Sequence, residues 1–193
     1  MASTQESFNV RLRKLDRRQA IAFMAATAER LVPNYVLYAH VNAVGDPAML
    51  YNVIDLVWES LNVKSAKIDF DKQAEKLAAI EPLSEDDSFG ARRATETIMA
   101  VTTLLDALRS EASESVIDVS RVSRNGVRAM IEMSEGTEDA EQLDALCREH
   151  PLMQDEHDFQ DAVLEAVENG EAMRDLRTLG RNGGVSNLGL TLD

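Results

Sequence analysis

Cysteine, proline and glycine are scarce in this 193-residue sequence, which contains one, four and nine of them respectively. The single cysteine, Cys147, excludes an internal disulfide and favours a reducing compartment. So little glycine and proline is atypical of β-sandwiches, propellers and collagen-like chains, and 45% hydrophobic residues are too many for a disordered chain. The composition therefore predicts a globular protein.

Long hydrophobic runs are also missing. The longest apolar run near the N-terminus, residues 20–26, is far shorter than the roughly 20 residues that a membrane-spanning helix needs. Residues 1–7 are polar and do not resemble the apolar segment of a signal peptide. We therefore expect a cytoplasmic protein without a membrane partner.

Basic residues are few, since 20 Lys and Arg accompany 34 Asp and Glu and the formal net charge is −14. Such a charge repels phosphate at long range, so no nucleic-acid partner is expected. Between residues 132 and 175, 15 acidic residues accompany only Arg148 and Arg174. This acidic segment is interpreted either as a surface for a basic partner, including mimicry of nucleic acid, or as an ordinary solvated helix face.

A stripe of arginines, Arg121, Arg124 and Arg128, recurs at helical spacing within the basic minority. No aromatic residues interleave with it, as a platform for single-stranded nucleic acid would require. Salt bridges to the acidic C-terminal half are the predicted role of this stripe.

Helix signals occur in the first half of the chain. Asp16 and Gln19 match a capping box, and Pro33 is predicted to end the helix that follows or to start another. Asp46 before Pro47 marks the next helix start. Further starts are predicted at Asp69 and at Ser84.

The second half continues the helical pattern. A break is expected near residues 111–113, Gly136 is predicted to end a helix, and Gly126 inside that helix indicates close approach of a neighbouring helix. The sequence therefore predicts one all-α domain over residues 1–193, a bundle of seven to nine helices with a short extended C-terminal tail. Residues 1–15 and 183–193 are expected to be peripheral segments.

Two carboxylate pairs have the spacing that places both members on one helix face: Asp55 with Glu59, and Asp71 with Glu75. Such pairs are able to hold a divalent metal or to act as acid and base. The alternative interpretation is a set of ordinary salt bridges.

Other motifs point away from cofactor chemistry. The sequence contains no Glu-x-x-His pair, no His-x-x-x-His and no glycine-rich phosphate loop, so neither a metal nor a cofactor is expected. Glu132-x-x-Glu135 and Asp158-x-x-Asp161 imitate the magnesium-binding pattern of all-α nucleotide pyrophosphohydrolases. In so acidic a region, chance matches are expected.

Short strings in residues 23–76 and 186–189 are more distinctive than these motifs. They are Phe23-Met24, Glu29-Arg30, Pro33-Asn34-Tyr35, Gly45-Asp46, Ile54-Asp55-Leu56-Val57-Trp58-Glu59, Ala66-Lys67, Phe70-Asp71 with Gln73 and Glu75-Lys76, and Ser186-Asn187-Leu188-Gly189. Together they resemble the YjaG-like family of bacterial proteins of unknown function. The resemblance implies a small, cytoplasmic, mainly helical bacterial protein and carries no established activity.

The resemblance also singles out charged and aromatic positions, which form the candidate site: Glu29, Arg30, Tyr35, Asp55, Trp58, Glu59, Lys67, Asp71 and Glu75. These residues are interpreted either as a polar groove between the first helices or as a salt-bridge network that fixes helix order.

Two hypotheses for function follow from these interpretations. The leading one is a non-enzymatic protein-interaction module that presents the groove or the acidic half to a protein partner or to a second copy of the chain. The alternative is a divalent-metal-dependent hydrolase that acts on a phosphorylated or nucleotide substrate through Asp55, Glu59, Asp71 and Glu75.

Overall fold

A computed structural model describes residues 6–110 and 114–192 of the chain. Within these ranges it contains nine α-helices, one 3-10 turn and no β-strand. The prediction of an all-α bundle of seven to nine helices is confirmed. The helices are α1 (Phe8–Lys14), α2 (Arg17–Asn42), α3 (Pro47–Asn62), α4 (Phe70–Ala78), α5 (Phe89–Arg109), α6 (Ser115–Glu135), α7 (Ala140–Glu149), α8 (Pro151–Glu168) and α9 (Met173–Arg181), and the 3-10 turn is Asn182–Gly184.

Helix α2 forms the centre of the bundle. Every residue of α2 from Ala20 to Tyr35 is buried, and α3, α5, α6, α8 and α9 all pack against it. A helix that is covered on all sides needs apolar residues all round, and the alanine-rich sequence of α2 supplies them.

The prediction that Pro33 interrupts this helix is wrong, because α2 continues through it to Asn42. Proline lacks an N–H, so the carbonyl of Glu29 loses its usual helical donor, and a proline in a helix interior costs about 3 kcal/mol. Packing of the surrounding helices outweighs this cost. Two residues before Pro33, the Leu31 carbonyl accepts a hydrogen bond from the Thr97 hydroxyl of α5 at 3.0 Å.

Side-chain caps mark several predicted helix starts. The capping box of Asp16 and Gln19 is present, and Asp46 and Asp69 accept backbone N–H groups at the starts of α3 and α4. The predicted start of a helix at Ser84 is wrong, since Ser88 caps α5 instead.

Asp86 accepts hydrogen bonds from the Tyr38 hydroxyl and the Ser88 N–H, which holds the preceding segment outside the helix. Gly136 ends α6 in the left-handed conformation, as predicted. The break expected at residues 111–113 lies outside the described residues.

Two glycines mark close approaches inside the bundle. A Cβ atom at Gly126 would lie 2.8 Å from Glu96 Oε2 and 3.3 Å from Asn187 Nδ2, so α5 and the tail approach it through side chains. A Cβ atom at Gly180 of α9 would lie 2.6 Å from the carbonyl oxygen of Ala26. The backbones of α2 and α9 therefore meet at Gly180.

The C-terminal tail packs against the bundle. Three tail residues, Ser186, Asn187 and Leu188, are buried, so the expectation of a peripheral segment does not describe them. The Ser186 N–H donates to the Leu190 carbonyl at 2.9 Å, which turns the tail back on itself. Leu188 joins a small apolar cluster with residues of α6, α7 and α8, including the buried thiol Cys147.

Among the described residues, no helix combines the length and hydropathy that crossing a membrane requires.

The contact at Gly180 predicts the effect of one added methyl group. Gly180→Ala forces Cβ into the backbone of α2 and should lower the free energy of unfolding by about 2 kcal/mol or more. Urea denaturation followed by circular dichroism measures this change. The control is Gly90→Ala, where Cβ would lie 3.4 Å from Tyr38 Cδ2 and the change should stay within about 1 kcal/mol. Equal stability of the two variants would contradict the close α2–α9 contact.

Candidate functional site

The predicted site residues do not form one group, and the first subset surrounds Glu29. The buried Glu29 carboxylate of α2 accepts hydrogen bonds from Trp58 Nε1 at 3.0 Å and from Arg177 Nε at 2.7 Å. Arg177 also pairs with Asp55, and Arg181 Nε lies 3.7 Å from Glu29 Oε2. We call these five residues the Glu29 cluster.

The Glu29 cluster joins three helices. Asp55 and Trp58 lie one turn apart on α3, and Arg177 and Arg181 lie one turn apart on α9. Trp58, Arg177 and Arg181 face Glu29 on α2, whereas Asp55 faces Arg177. Both carboxylates of the cluster face an arginine. This is the geometry of a salt-bridge network, and neither carboxylate is left over to bind a cation.

Arg30, the next residue along α2, lies in a different environment. Its Nη1 lies 3.3 Å from Oε2 of Glu156 on α8, and its guanidinium stacks 4.1 Å from the centre of the Phe159 ring. Glu156 is fully buried and also accepts hydrogen bonds from Ser123 and Gln160. Burial raises the pKa of Glu156, whereas Arg30 and these donors oppose that rise.

This second group extends to the C-terminal tail. Asn187 Nδ2 donates to the Ser123 carbonyl at 2.9 Å, and Asn34 Nδ2 donates to Asn187 Oδ1 at 2.8 Å. We call Arg30, Asn34, Ser123, Glu156, Gln160 and Asn187 the Glu156 network. It connects α2, α6, α8 and the tail through buried polar side chains.

A further ion pair of low exposure lies on α5. Arg93 Nη2 donates to Glu96 Oε1 at 2.8 Å, and the Arg93 guanidinium lies 4.8 Å from the centre of the Phe89 ring. Burial raises the pKa of Glu96 to about 7, although the Arg93 charge acts in the opposite direction.

Tyr35 has a distinct role. Its hydroxyl donates to the Ile80 carbonyl at 2.7 Å and accepts from the Asp46 N–H at 3.1 Å. Burial raises the pKa of the Tyr35 hydroxyl. Tyr35 therefore ties α2 to the start of α3 and to the segment after α4.

The remaining predicted residues, Glu59, Lys67, Asp71 and Glu75, are exposed. Asp71 pairs with Arg109 at 2.5 Å, whereas Asp55 faces Arg177, so the two carboxylate pairs do not converge. In residues 6–110 and 114–192, no group of three or more His, Cys, Asp or Glu side chains is placed to hold a metal ion.

The sequence analysis missed Glu156 and Arg177 as site residues. Glu156 is one of 15 acidic residues in its segment, and composition does not separate it from the others. A signal was present in the spacing, because Glu156 lies on the same helical face as the apolar residues Met153, Phe159 and Val163. No sequence pattern marks Arg177 in this way, because its partners Glu29 and Asp55 lie on α2 and α3, far away in sequence.

The acidic segment contributes a charged surface. Nine of its 15 acidic residues are exposed and make no ion pair within 4.0 Å among the described residues. We call these nine the acidic surface: Glu132, Glu138, Asp139, Glu141, Glu149, Asp155, Asp158, Glu165 and Glu171.

Comparison with known proteins identifies relatives of this chain. A family model described as protein of unknown function (DUF416) matches residues 7–191. The uncharacterized protein YjaG of Escherichia coli is 32% identical over 193 residues, which cover 96% of this chain and 97% of that protein. An uncharacterized protein of Haemophilus influenzae is 33% identical over 189 residues, covering 93% of this chain and 94% of that protein.

A solved structure has the same fold. The crystal structure of a DUF416 family protein from Shewanella baltica OS155 matches with a TM-score of 0.91 at 29% sequence identity, and the match covers 97% of this chain and 100% of that one.

The Glu29 cluster predicts a contrast between two carboxylates. Glu29→Ala leaves Trp58 Nε1 and Arg177 without their buried acceptor and should lower the free energy of unfolding by about 3 kcal/mol. Asp55→Ala removes an exposed partner of the same arginine and should cost less than about 1 kcal/mol. Chemical denaturation of both variants tests this, and equal losses would contradict the central role of Glu29.

The raised pKa of Glu96 predicts a pH dependence. Between the ordinary glutamate pKa of about 4.3 and the folded value of about 7, the folded state binds more protons than the unfolded state. This contribution to stability is therefore lost as pH rises from about 4 through the folded pKa of about 7. The melting temperature of Glu96→Gln should therefore depend less on pH over this range than that of the unmodified protein. The exposed control Glu75→Gln should keep the pH dependence of the unmodified protein. A Glu96→Gln profile that parallels the unmodified protein would contradict the assignment.

Proposed function

The chain belongs to the DUF416 family of proteins of unknown function, and we propose that it is a non-enzymatic interaction module whose acidic surface binds a basic protein partner. The observation that carries this proposal is the set of nine exposed acidic side chains without ion pairs among the described residues.

The distribution of arginines supports an external role for the acidic surface. The buried carboxylates Glu29 and Glu156 receive arginine partners from distant helices. The acidic surface makes no ion pair within 4.0 Å with an arginine of residues 6–110 or 114–192, although its like charges repel one another and lower the stability of the folded state. A partner that supplies lysine or arginine would remove this repulsion on binding.

The charge of the acidic surface also predicts how the rate and the affinity of such binding depend on salt. Complementary charge steers two proteins together and raises their association rate, and salt screens this effect over about 10 Å at 0.1 M ionic strength. We therefore expect association with a basic partner to be fast and to weaken as salt increases.

The geometry favours binding over catalysis. Glu29 and Glu156 are the buried carboxylates of the Glu29 cluster and the Glu156 network. Both already accept hydrogen bonds from side chains of the protein. The carboxylates of the hydrolase alternative lie apart, and two of them face arginines.

Charge reversal on α8 tests the proposal. Asp155→Lys, Asp158→Lys and Glu165→Lys together invert one exposed side of α8. The matched control, Glu59→Lys, Glu75→Lys and Asp87→Lys, changes the net charge equally at exposed positions outside the acidic segment. Both variants are tagged at natural expression level in the native bacterium, and copurifying proteins are quantified by mass spectrometry.

The expected result is a basic protein that copurifies at fixed stoichiometry with the unmodified chain and with the control. The α8 reversal should lower its recovery about tenfold or more. Equal recovery with both variants, or no partner above background, would contradict the proposal. Light scattering of the pure chain shows separately whether the partner is a second copy.

A further inference from the structure

A groove with the opposite charge lies where α6, α7 and α8 meet. It has a volume of about 400 Å³, and its walls include Arg121, Arg124, Arg128, Arg148 and His157. The described residues that line it include no Asp or Glu. Four arginines in one groove are unexpected in a chain whose net charge is −14.

The predicted salt bridges neutralise this groove only in part. Arg128 pairs with Asp144 of α7 at 2.5 Å, as the sequence predicts. Arg121 has a weaker partner, Asp118 of its own helix, at 3.6 Å, and both side chains are more than half exposed. Arg124 and Arg148 make no ion pair within 4.0 Å among the described residues.

Arg124 is the cation in the groove that is least well compensated. It is part-buried, and its Nε makes a long hydrogen bond of 3.4 Å to the Ser120 carbonyl. Burial and the neighbouring charge of Arg121 lower the Arg124 pKa, whereas Glu156 raises it from the side of the core. The Glu156 carboxylate already accepts hydrogen bonds from Ser123 and Gln160 and pairs with Arg30, so it compensates the charge of Arg124 only in part.

A guanidinium does not lose its proton in proteins, so Arg124 stays charged and an anion in the groove would compensate it. Guanidinium groups bind phosphate oxygens through paired N–H donors, and several arginines together favour an anion with more than one negative charge. The volume lies within the range of small-molecule sites.

We propose that the groove between α6, α7 and α8 binds a small phosphorylated molecule, with Arg124 and Arg148 as its main phosphate ligands. A neighbouring depression of about 390 Å³ shares Arg124 and His157, and its other lining residues are Ser7, Phe8, Asn9, Gln160 and the acidic Asp161. The Gln160 amide is already bonded to Ser120 and Glu156, so the Phe8 ring and the Asn9 amide are the groups left for the rest of such a molecule. The site is independent of the acidic surface and of its partner.

A small anion fits better than a nucleic acid. The groove is short, and the acidic surface lies on α7, α8, the adjoining turns and, at Glu132, on α6. A long polyanion would extend along that surface and be repelled, whereas a small phosphorylated molecule would stay beside the arginines.

Calorimetric titration with inorganic pyrophosphate tests the proposal at constant ionic strength. We expect saturable binding with a dissociation constant below about 1 mM. Arg124→Gln and Arg148→Gln should each weaken binding about tenfold or more. The matched control is Arg92→Gln, which removes one exposed positive charge on α5, outside the groove, and should change affinity less than about twofold.

Three outcomes would overturn the proposal: no saturable binding, equal weakening by the Arg92 control, or tighter binding of a single-stranded oligonucleotide than of pyrophosphate. Melting curves show whether Arg124→Gln is folded. Arg148 is exposed at the end of α7, so Arg148→Gln gives a decisive result even if the Arg124 variant does not fold.

Discussion

Two adjacent opposite charges, Glu29 and Arg30, lie at the buried centre of helix α2, and the bundle is arranged around their neutralisation. Glu29 receives Arg177 from α9, and Arg30 receives Glu156 from α8. Removing a charge from water costs several kcal/mol unless a partner and hydrogen bonds replace the solvent. The positions of α8 and α9 against α2 are therefore constrained by charge as well as by apolar packing.

Local chemistry made much of the fold predictable. Asp16, Asp46 and Asp69 cap helices because an aspartate before a helix satisfies a free backbone N–H, and this needs no distant partner. The predictions at Pro33 and Ser84 are wrong because tertiary contacts decide the structure at both positions. Burial of α2 outweighs the proline, and Asp86, bonded to Tyr38, shifts the start of α5 to Ser88.

The candidate site was less predictable for the same reason. Glu29, Asp55 and Trp58 do meet, but the arginine that joins them comes from α9. Arg30 lies beside Glu29 in sequence and faces another cluster. Glu59 shares a helix face with Asp55, and Glu75 shares one with Asp71. The spacing of residues along a helix does not predict whether such a face is buried. Pairings between distant helices follow from the packed structure and not from local pattern.

The position of Asn187 has a consequence for biosynthesis. Asn187 hydrogen-bonds Asn34 of α2 and the Ser123 carbonyl of α6 in the interior of the bundle. The ribosome synthesises α2 long before α8 and α9, so Glu29 and Arg30 have no partner until those two helices follow. Contacts so distant in sequence slow folding, and nascent chains with exposed helices attract chaperones. The interior of the bundle is therefore completed only after most of the polypeptide has been synthesised, and truncation before Asn187 would leave Asn34 without its hydrogen-bond partner.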